Sequence, residues 1–305
     1  MKSRNYIKYI LPVLFLVALV ILILFSGGII GPLSRPGQSV RVDFLDVGKG
    51  DCILIRTHSY TMMIDTGYDE TFDKVDSFLK NEHVEGIDTL VVTHFDKDHA
   101  GGVAPLLSKY KVGEIYAPDF ESVKDTYESY TAAVRSSGVS EYRMQPGEGL
   151  GFEKDGLDFV LEAPQIVYDP DEKNDNDMSL MLRMDNKNES WLFLGDIEKP
   201  GIKYFLNDSA LCQMDYGHSY TLVKMPRHGG VEDNTDKLLD HVQRFSQGSV
   251  LAVITDSVAD KADGEVIDEL KSHRFDYLSS SEDGDISVKG NGTGELKILK
   301  ASSLE

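Results

Sequence analysis

Four side chains able to bind a metal fall within the six residues His94-Phe95-Asp96-Lys97-Asp98-His99. Imidazole suits zinc and other transition metals, and carboxylate suits harder ions such as manganese. The segment follows the apolar run Thr89–Thr93 and precedes Ala100-Gly101-Gly102, so a buried strand would deliver it into a tight loop. Asp98 and His99 are adjacent and their side chains diverge on a loop. That places His94 with Asp96 at one cation and Asp98 with His99 at another. Two divalent cations so held can activate water and clamp an in-line displacement. The chemistry to expect is hydrolysis.

One loop cannot supply every ligand of such a site. Leu194-Gly195-Asp196 offers a carboxylate just after a strand-like run. Arg227-His228-Gly229-Gly230 offers an imidazole after another, with glycines that let the backbone turn closely. Alone, Asp196 could cap a helix and His228 could be a surface histidine. Their joint placement at strand ends favours the ligand reading. Lys49 and Lys224 could face an anion or simply solubilise the surface. Arg227 could clamp a phosphate or carboxylate, or pair with a surface acid.

The elements that must position these groups read as strands then helices, twice over. Val40–Val47 and Cys52–Arg56 read as a hairpin around Gly48-Lys49-Gly50-Asp51, and Thr61–Ile64 as a third strand ending at Asp65-Thr66-Gly67. Phe72–Asn81 has a helical apolar face, Val103–Tyr110 looks helical, Glu114–Ala117 extended, and Phe120–Ser136 a polar helix. The second half repeats the theme. Strands are expected at Leu157–Glu162, Ser179–Met184, Trp191–Leu194, Tyr220–Met225, Val250–Thr255, Phe275–Leu278 and Asp285–Val288. Helices are expected at Ile197–Leu206, Asp236–Phe245 and Glu265–Lys271. Two sheets stacked face to face with helices outside would bury both sets.

The N-terminus differs in kind. Tyr9–Ile30 is apolar over a length that suits a spanning helix of roughly 20 residues. Lys2, Arg4 and Lys8 precede it without an acid, so the positive-inside rule places the N-terminus in the cytoplasm and the rest outside. The expected organisation is a cytoplasmic end and membrane anchor over residues 1–30, a linker over 31–39 and a hydrolase domain over 40–300. A cleaved signal, leaving a secreted domain, is the alternative. The formal charge is −20 with 41% hydrophobic residues, which suits a folded core and opposes non-specific binding to long nucleic acid. Cys52 and Cys212 allow one disulfide at most, and Cys52 in an apolar strand reads as a small buried residue.

The whole set resembles the metallo-β-lactamase-fold hydrolases, and within them the exported domain of ComEC-type competence proteins. The likeness rests on Phe44–Asp51, Ile64–Gly67, Thr93–Gly102, Leu194–Asp196 and Lys224–Gly229. It implies a four-layer αββα sandwich, class α/β (α+β), with a site for two divalent metal ions, Zn or Mn, at one edge between the sheets. It implies His94, Asp96, Asp98, His99, Asp196 and His228 as ligands. Asp98 becomes the catalytic carboxylate, and Asp65 the residue that supports the metal loop. It points to a phosphodiester substrate, nucleotide or nucleic acid, and to a link with DNA uptake. Two departures stand out. The intermediate histidine of many superfamily members is replaced by the acidic stretch Asn174–Ser179, from which Asn176, Asp177 or Ser179 could complete a site or meet substrate. Arg227 stands where relatives usually carry a second histidine. A binding module with a degenerate or single-metal site, and a hydrolase of lactones or other esters, are the competing readings.

Overall fold

The computed structural model describes residues 37–172, 174–212, 219–231 and 235–300. The first half forms β1 (Val40–Phe44), β2 (Ile53–Arg56), β3 (Thr61–Ile64), α1 (Phe72–Asn81), β4 (Gly86–Val91), α2 (Val103–Lys109), β5 (Lys111–Pro118), α3 (Asp125–Ser137) and β6 (Ser140–Met144). Next come β7 (Gly149–Lys154), β8 (Leu157–Glu162), β9 (Met181–Asn186), β10 (Glu189–Phe193), α4 (Lys199–Asn207) and β11 (Ser219–Lys224). The remainder comprises α5 (Thr235–Arg244), β12 (Leu251–Ile254), α6 (Gly264–Ser272), β13 (Asp276–Ser279), β14 (Ile286–Gly290) and β15 (Lys297–Lys300).

One sheet has eight strands in the order β15-β14-β1-β2-β3-β4-β5-β6, and the other has seven in the order β13-β12-β11-β10-β9-β8-β7. Alternation along each strand sends side chains to opposite faces, so a sheet covered on both sides must be apolar on both. In β2, Ile53 and Ile55 join Phe44, Phe159, Leu182, Trp191 and Phe193 in the core between the sheets. Leu54 points the other way, into a core with Phe72, Val75 and Leu79 of α1 and Leu106 of α2. Behind the second sheet, Leu192 and Val223 pack with Phe205 of α4, Leu238 of α5 and Leu270 of α6. This is the expected αββα layering.

The topology decides where the chemistry sits. Strands β3 to β6 run parallel in the first sheet, as do β10 to β13 in the second. Their C-terminal ends therefore open on one edge of each sheet, where side chains from several strands can meet. The two edges are stitched together by Leu180 N–H donating to Thr93 O at 2.9 Å.

The expected membrane helix over Tyr9–Ile30 falls outside the described residues. Among the described residues no helix is long and apolar enough to cross a membrane. The longest, α3, has 13 residues. At 1.5 Å per residue that is roughly 20 Å, short of a hydrocarbon core of about 30 Å. The expectation of a membrane-anchored, exported, single-pass protein with the bilayer as partner is therefore corrected, because no described helix supports it.

Candidate metal centre

Each candidate group follows the end of a strand. Asp51 lies in the β1–β2 loop, Asp65 follows β3, and the His/Asp loop follows β4. Asp196 follows β10, His228 follows β11, and Thr255 follows β12. The loops are tied to one another by backbone hydrogen bonds. Asp51 N–H donates to Asp98 O at 3.0 Å, Thr66 N–H to His99 O at 2.8 Å, and Gly67 N–H to Asp51 O at 2.7 Å.

Four ligand atoms converge. His228 Nε2 lies 3.0 Å from Asp196 Oδ2 and 3.3 Å from Asp98 Oδ2. His99 Nε2 lies 3.4 Å from Asp196 Oδ2, 3.8 Å from Asp98 Oδ2 and 3.3 Å from His228 Nε2. On the other side of His99, at 4.2 Å between ring centroids, stands the His94 imidazole. Its Nε2 is buried with no hydrogen-bond partner, and Asp96 Oδ1 is 3.8 Å away. The structure thus brings together all six expected ligands: Asp98, His99, Asp196 and His228 in one group, with His94 and Asp96 beside it.

The protons on these rings follow from their partners. Asp65 is buried in a left-handed conformation, φ 56°. Its Oδ2 accepts from His99 Nδ1 at 2.7 Å and from the Thr93 hydroxyl at 2.6 Å. Having given its proton to Asp65, Thr93 Oγ1 can only accept from His94 Nδ1, 3.1 Å away. Thr255 donates its hydroxyl to Asp51 Oδ1 at 2.6 Å, so its oxygen can only accept from His228 Nδ1 at 3.0 Å. The Nδ1 atoms of His99 and His228 are thus occupied by Asp65 and Thr255, and that of His94 by Thr93 and Ser179, so Nε2 is the nitrogen each ring would offer a metal once any proton on it is displaced.

The charges fit a cation as well. Burial pushes the His99 imidazole down, but Asp196, Asp65 and Asp98 outweigh it and hold its pKa well above the ordinary value. His228 is likewise opposed by burial, yet Asp196, Asp51 and Asp98 push it up to about 10. Burial and the neighbouring His99 instead lower His94. Despite burial, His228, His99 and Lys224 keep Asp196 well below the usual carboxylate range. A buried cluster that draws in so much positive charge would be satisfied by a divalent ion. The chemistry of the donors and the unpartnered His94 Nε2 both suit one.

The remaining expected residues have other partners. Lys224 is not an exposed lysine: it is 1% exposed, with Nζ at 2.5 Å from Asp51 Oδ2, 3.1 Å from Gly195 O and 3.4 Å from Asp196 Oδ1. Arg227 is half-exposed and pairs with Glu198 at 3.1 Å. Asn176 donates to Glu198 at 2.9 Å, and Asp177 accepts from the Glu198 and Gly201 amides at the start of α4. Ser179 reaches the site: its Oγ is 3.3 Å from His94 Nδ1 and accepts from Asp196 N–H at 3.1 Å. Cys52 and Cys212 are free thiols, and Cys52 is buried as expected.

Three participants were not anticipated. Asp51 read as part of a hairpin turn, and Thr255 as the end of a strand. Lys124 was placed in a helix from Phe120, but α3 begins only at Asp125 and the preceding loop carries Lys124 onto Asp96. The signal for Asp51 was present, since it closes the Gly48–Asp51 segment, but spacing alone could not separate it from a turn residue.

Gly195 shows how tightly Asp196 is delivered. It takes φ +55°, and a methyl group there would stand 2.7 Å from Ser179 Cβ. Gly195→Ala should therefore cost about 1–3 kcal/mol and lower Tm. An unchanged melting curve would show that the loop relaxes freely.

Comparison with known proteins agrees with this geometry. Residues 45–243 match the Metallo-beta-lactamase superfamily. ComE operon protein 3 of Bacillus subtilis (strain 168) is 24% identical over 275 residues, which is 84% of this chain and 33% of that protein. Recombination protein 2 of Haemophilus influenzae (strain ATCC 51907 / DSM 11121 / KW20 / Rd) is 25% identical over 229 residues, 73% of this chain and 25% of its own length. The chain thus spans a third or less of these relatives. Among solved structures, Tm1679, a metal-dependent hydrolase of the beta-lactamase superfamily, aligns with a TM-score of 0.56 at 13% identity, over 83% of this chain and 99% of that one. The fold and the clustered carboxylates and imidazoles are those of a metal-dependent hydrolase. With the match running through more than half of its length, this chain belongs to the metallo-β-lactamase superfamily.

Proposed function

We propose that the chain is a two-cation phosphodiester hydrolase, in which His94 and Asp96 would hold one ion and Asp98, His99, Asp196 and His228 the other. The observation that carries this reading is the gathering of three imidazole Nε2 atoms and three carboxylates in two adjoining groups, Asp98, His99, Asp196 and His228 in one and His94 with Asp96 beside it. Zinc or manganese would suit this mixed donor set. Cations held there would supply Lewis acidity towards a phosphoryl oxygen and acidify water near neutral pH. Asp65 fixes the rings of His94 and His99, and Ser179 props both His94 and the Asp196 amide. The relatives' names, which refer to the ComE operon and to recombination, support nucleic acid or nucleotide as the substrate. The charge of −20 favours a short or single-stranded one over a long duplex.

One observation favours a second reading, with a single cation at Asp98, His99, Asp196 and His228. The Lys124 ammonium is ion-paired with Asp96 and would compete for its ligand oxygen. Metal analysis of the purified chain separates the two: two equivalents of Zn²⁺ or Mn²⁺ support the first reading, one equivalent the second.

The functional test is turnover of bis(p-nitrophenyl) phosphate, nucleotides, short single-stranded DNA and a lactone with each metal. Phosphodiester cleavage that disappears in Asp98→Ala is the expected result. Lactone turnover alone, or activity surviving Asp98→Ala, would sink the proposal. Loading must also displace protons from His99 and His228, both held above the ordinary imidazole value, so metal affinity should rise with pH from neutrality up to the His228 pKa of about 10. A pH-independent affinity would argue that other residues bind the metal.

A further inference from the structure

We infer that Asp51 is the positioning residue for Asp196 and His228, the two ligands that reach the site from the second sheet; this rests on the ligand assignment proposed above. Each carboxylate oxygen of Asp51 reaches one of them through a single intermediary. Oδ1 accepts the Thr255 hydroxyl at 2.6 Å, and that oxygen lies 3.0 Å from His228 Nδ1. Oδ2 is 2.5 Å from Lys224 Nζ, which in turn lies 3.4 Å from Asp196 Oδ1. Asp65 does the equivalent for the first sheet, binding His99 directly and His94 through Thr93. Two buried aspartates therefore support four of the six expected ligands between them, and each serves one imidazole through a threonine.

Asp51 stands close enough to His99, Asp196 and His228 that the four could share an ion, with ligand atoms within 4.8 Å of one another. Its position argues otherwise. The nearest imidazole atoms are the Nδ1 atoms, 3.5 Å away in His228 and 3.9 Å in His99. Those nitrogens face away from the point where the Nε2 atoms meet. Oδ1 already accepts the Thr255 hydroxyl, and Oδ2, which has no hydrogen-bond partner among the described residues, is ion-paired with Lys224. The residue sits behind the ligands, in the layer whose loss weakens metal binding without removing a donor.

The test uses the full chain with Asp51→Asn, Thr255→Val and Thr255→Ser. Histidine side-chain ¹⁵N NMR without added metal reads ring protonation and hydrogen bonding, and Zn²⁺ titration reads affinity. Asp51→Asn and Thr255→Val should both displace the His228 ring signals while leaving those of His94 and His99, and both should weaken Zn²⁺ binding about 10–100-fold. Thr255→Ser, which keeps the hydroxyl, should restore both readouts. Thr255→Val with wild-type His228 signals and affinity would overturn the inference. So would loss of Zn²⁺ in Asp51→Asn alone, since that marks a direct ligand. A wild-type chain that takes up no Zn²⁺ would instead refute the ligand assignment, and the His228 signals would still decide whether Asp51 holds that ring.

Discussion

Asp196→Asn should deprive the protein of hydrolytic activity and of at least one equivalent of bound metal. Asp196 Oδ2 is the carboxylate oxygen nearest the Nε2 atoms of both rings, at 3.0 Å from His228 and 3.4 Å from His99. The residue is 4% exposed, so no water can take its place without rearrangement. The amide preserves volume but loses the negative charge, and it can turn N–H donors towards lone pairs that should face a cation. Loss of a residue that merely supports a ligand costs roughly 10–100-fold in affinity or activity. Loss of the central carboxylate should exceed that in kcat/KM and show directly in metal content. A variant that retains metal and wild-type turnover would remove Asp196 from the site altogether.

The fold was legible where apolar residues recurred at the period of a strand or of a helix face. Thr61–Ile64, Phe72–Asn81 and Leu157–Glu162 appear with the expected bounds. What escaped were β6, β7 and β15, all at sheet edges. An edge strand with one open side needs little apolar content: β6 is Ser-Glu-Tyr-Arg-Met, and β7 carries two glycines. The six ligand candidates stood out in the sequence because four donors crowd one loop and two more follow other apolar strands, a joint placement that none of them shows alone. The groups behind them did not. Thr255 and Asp51 acquire their meaning only from contacts across 204 residues of chain. Lys224 looks like any surface lysine until the β1–β2 loop of the first sheet brings Asp51 against it. A late helix start brings Lys124 to Asp96, and the start of α3 leaves too little pattern in the sequence to place it.

Lys224→Met should produce the largest loss of stability among these variants. The ammonium is 1% exposed and carries the burial penalty of an ion taken out of water. Burial pushes its pKa down, but Asp51 and Asp196 reverse this and raise it above the ordinary lysine value. Methionine fills the space yet leaves two buried carboxylates without their cation. Breaking one side of such a pair costs about 3–5 kcal/mol. For a domain of this size the Tm should fall by roughly 10 °C. The pH dependence has a definite sign. Asp51 and Asp196 are both held below the usual carboxylate range, so their stabilisation is full above that range and is lost as pH falls through their lowered values. Without Lys224 those pKa values rise, so the difference between variant and wild type should be widest at neutral pH and close on acidification. Metal opposes the same repulsion, so the gap should also be wider in chelator than with Zn²⁺. Matching melts in chelator at neutral pH would show that the ammonium does not hold these carboxylates, and Asp196 would then owe its orientation to Ser179 and the Gly195 turn.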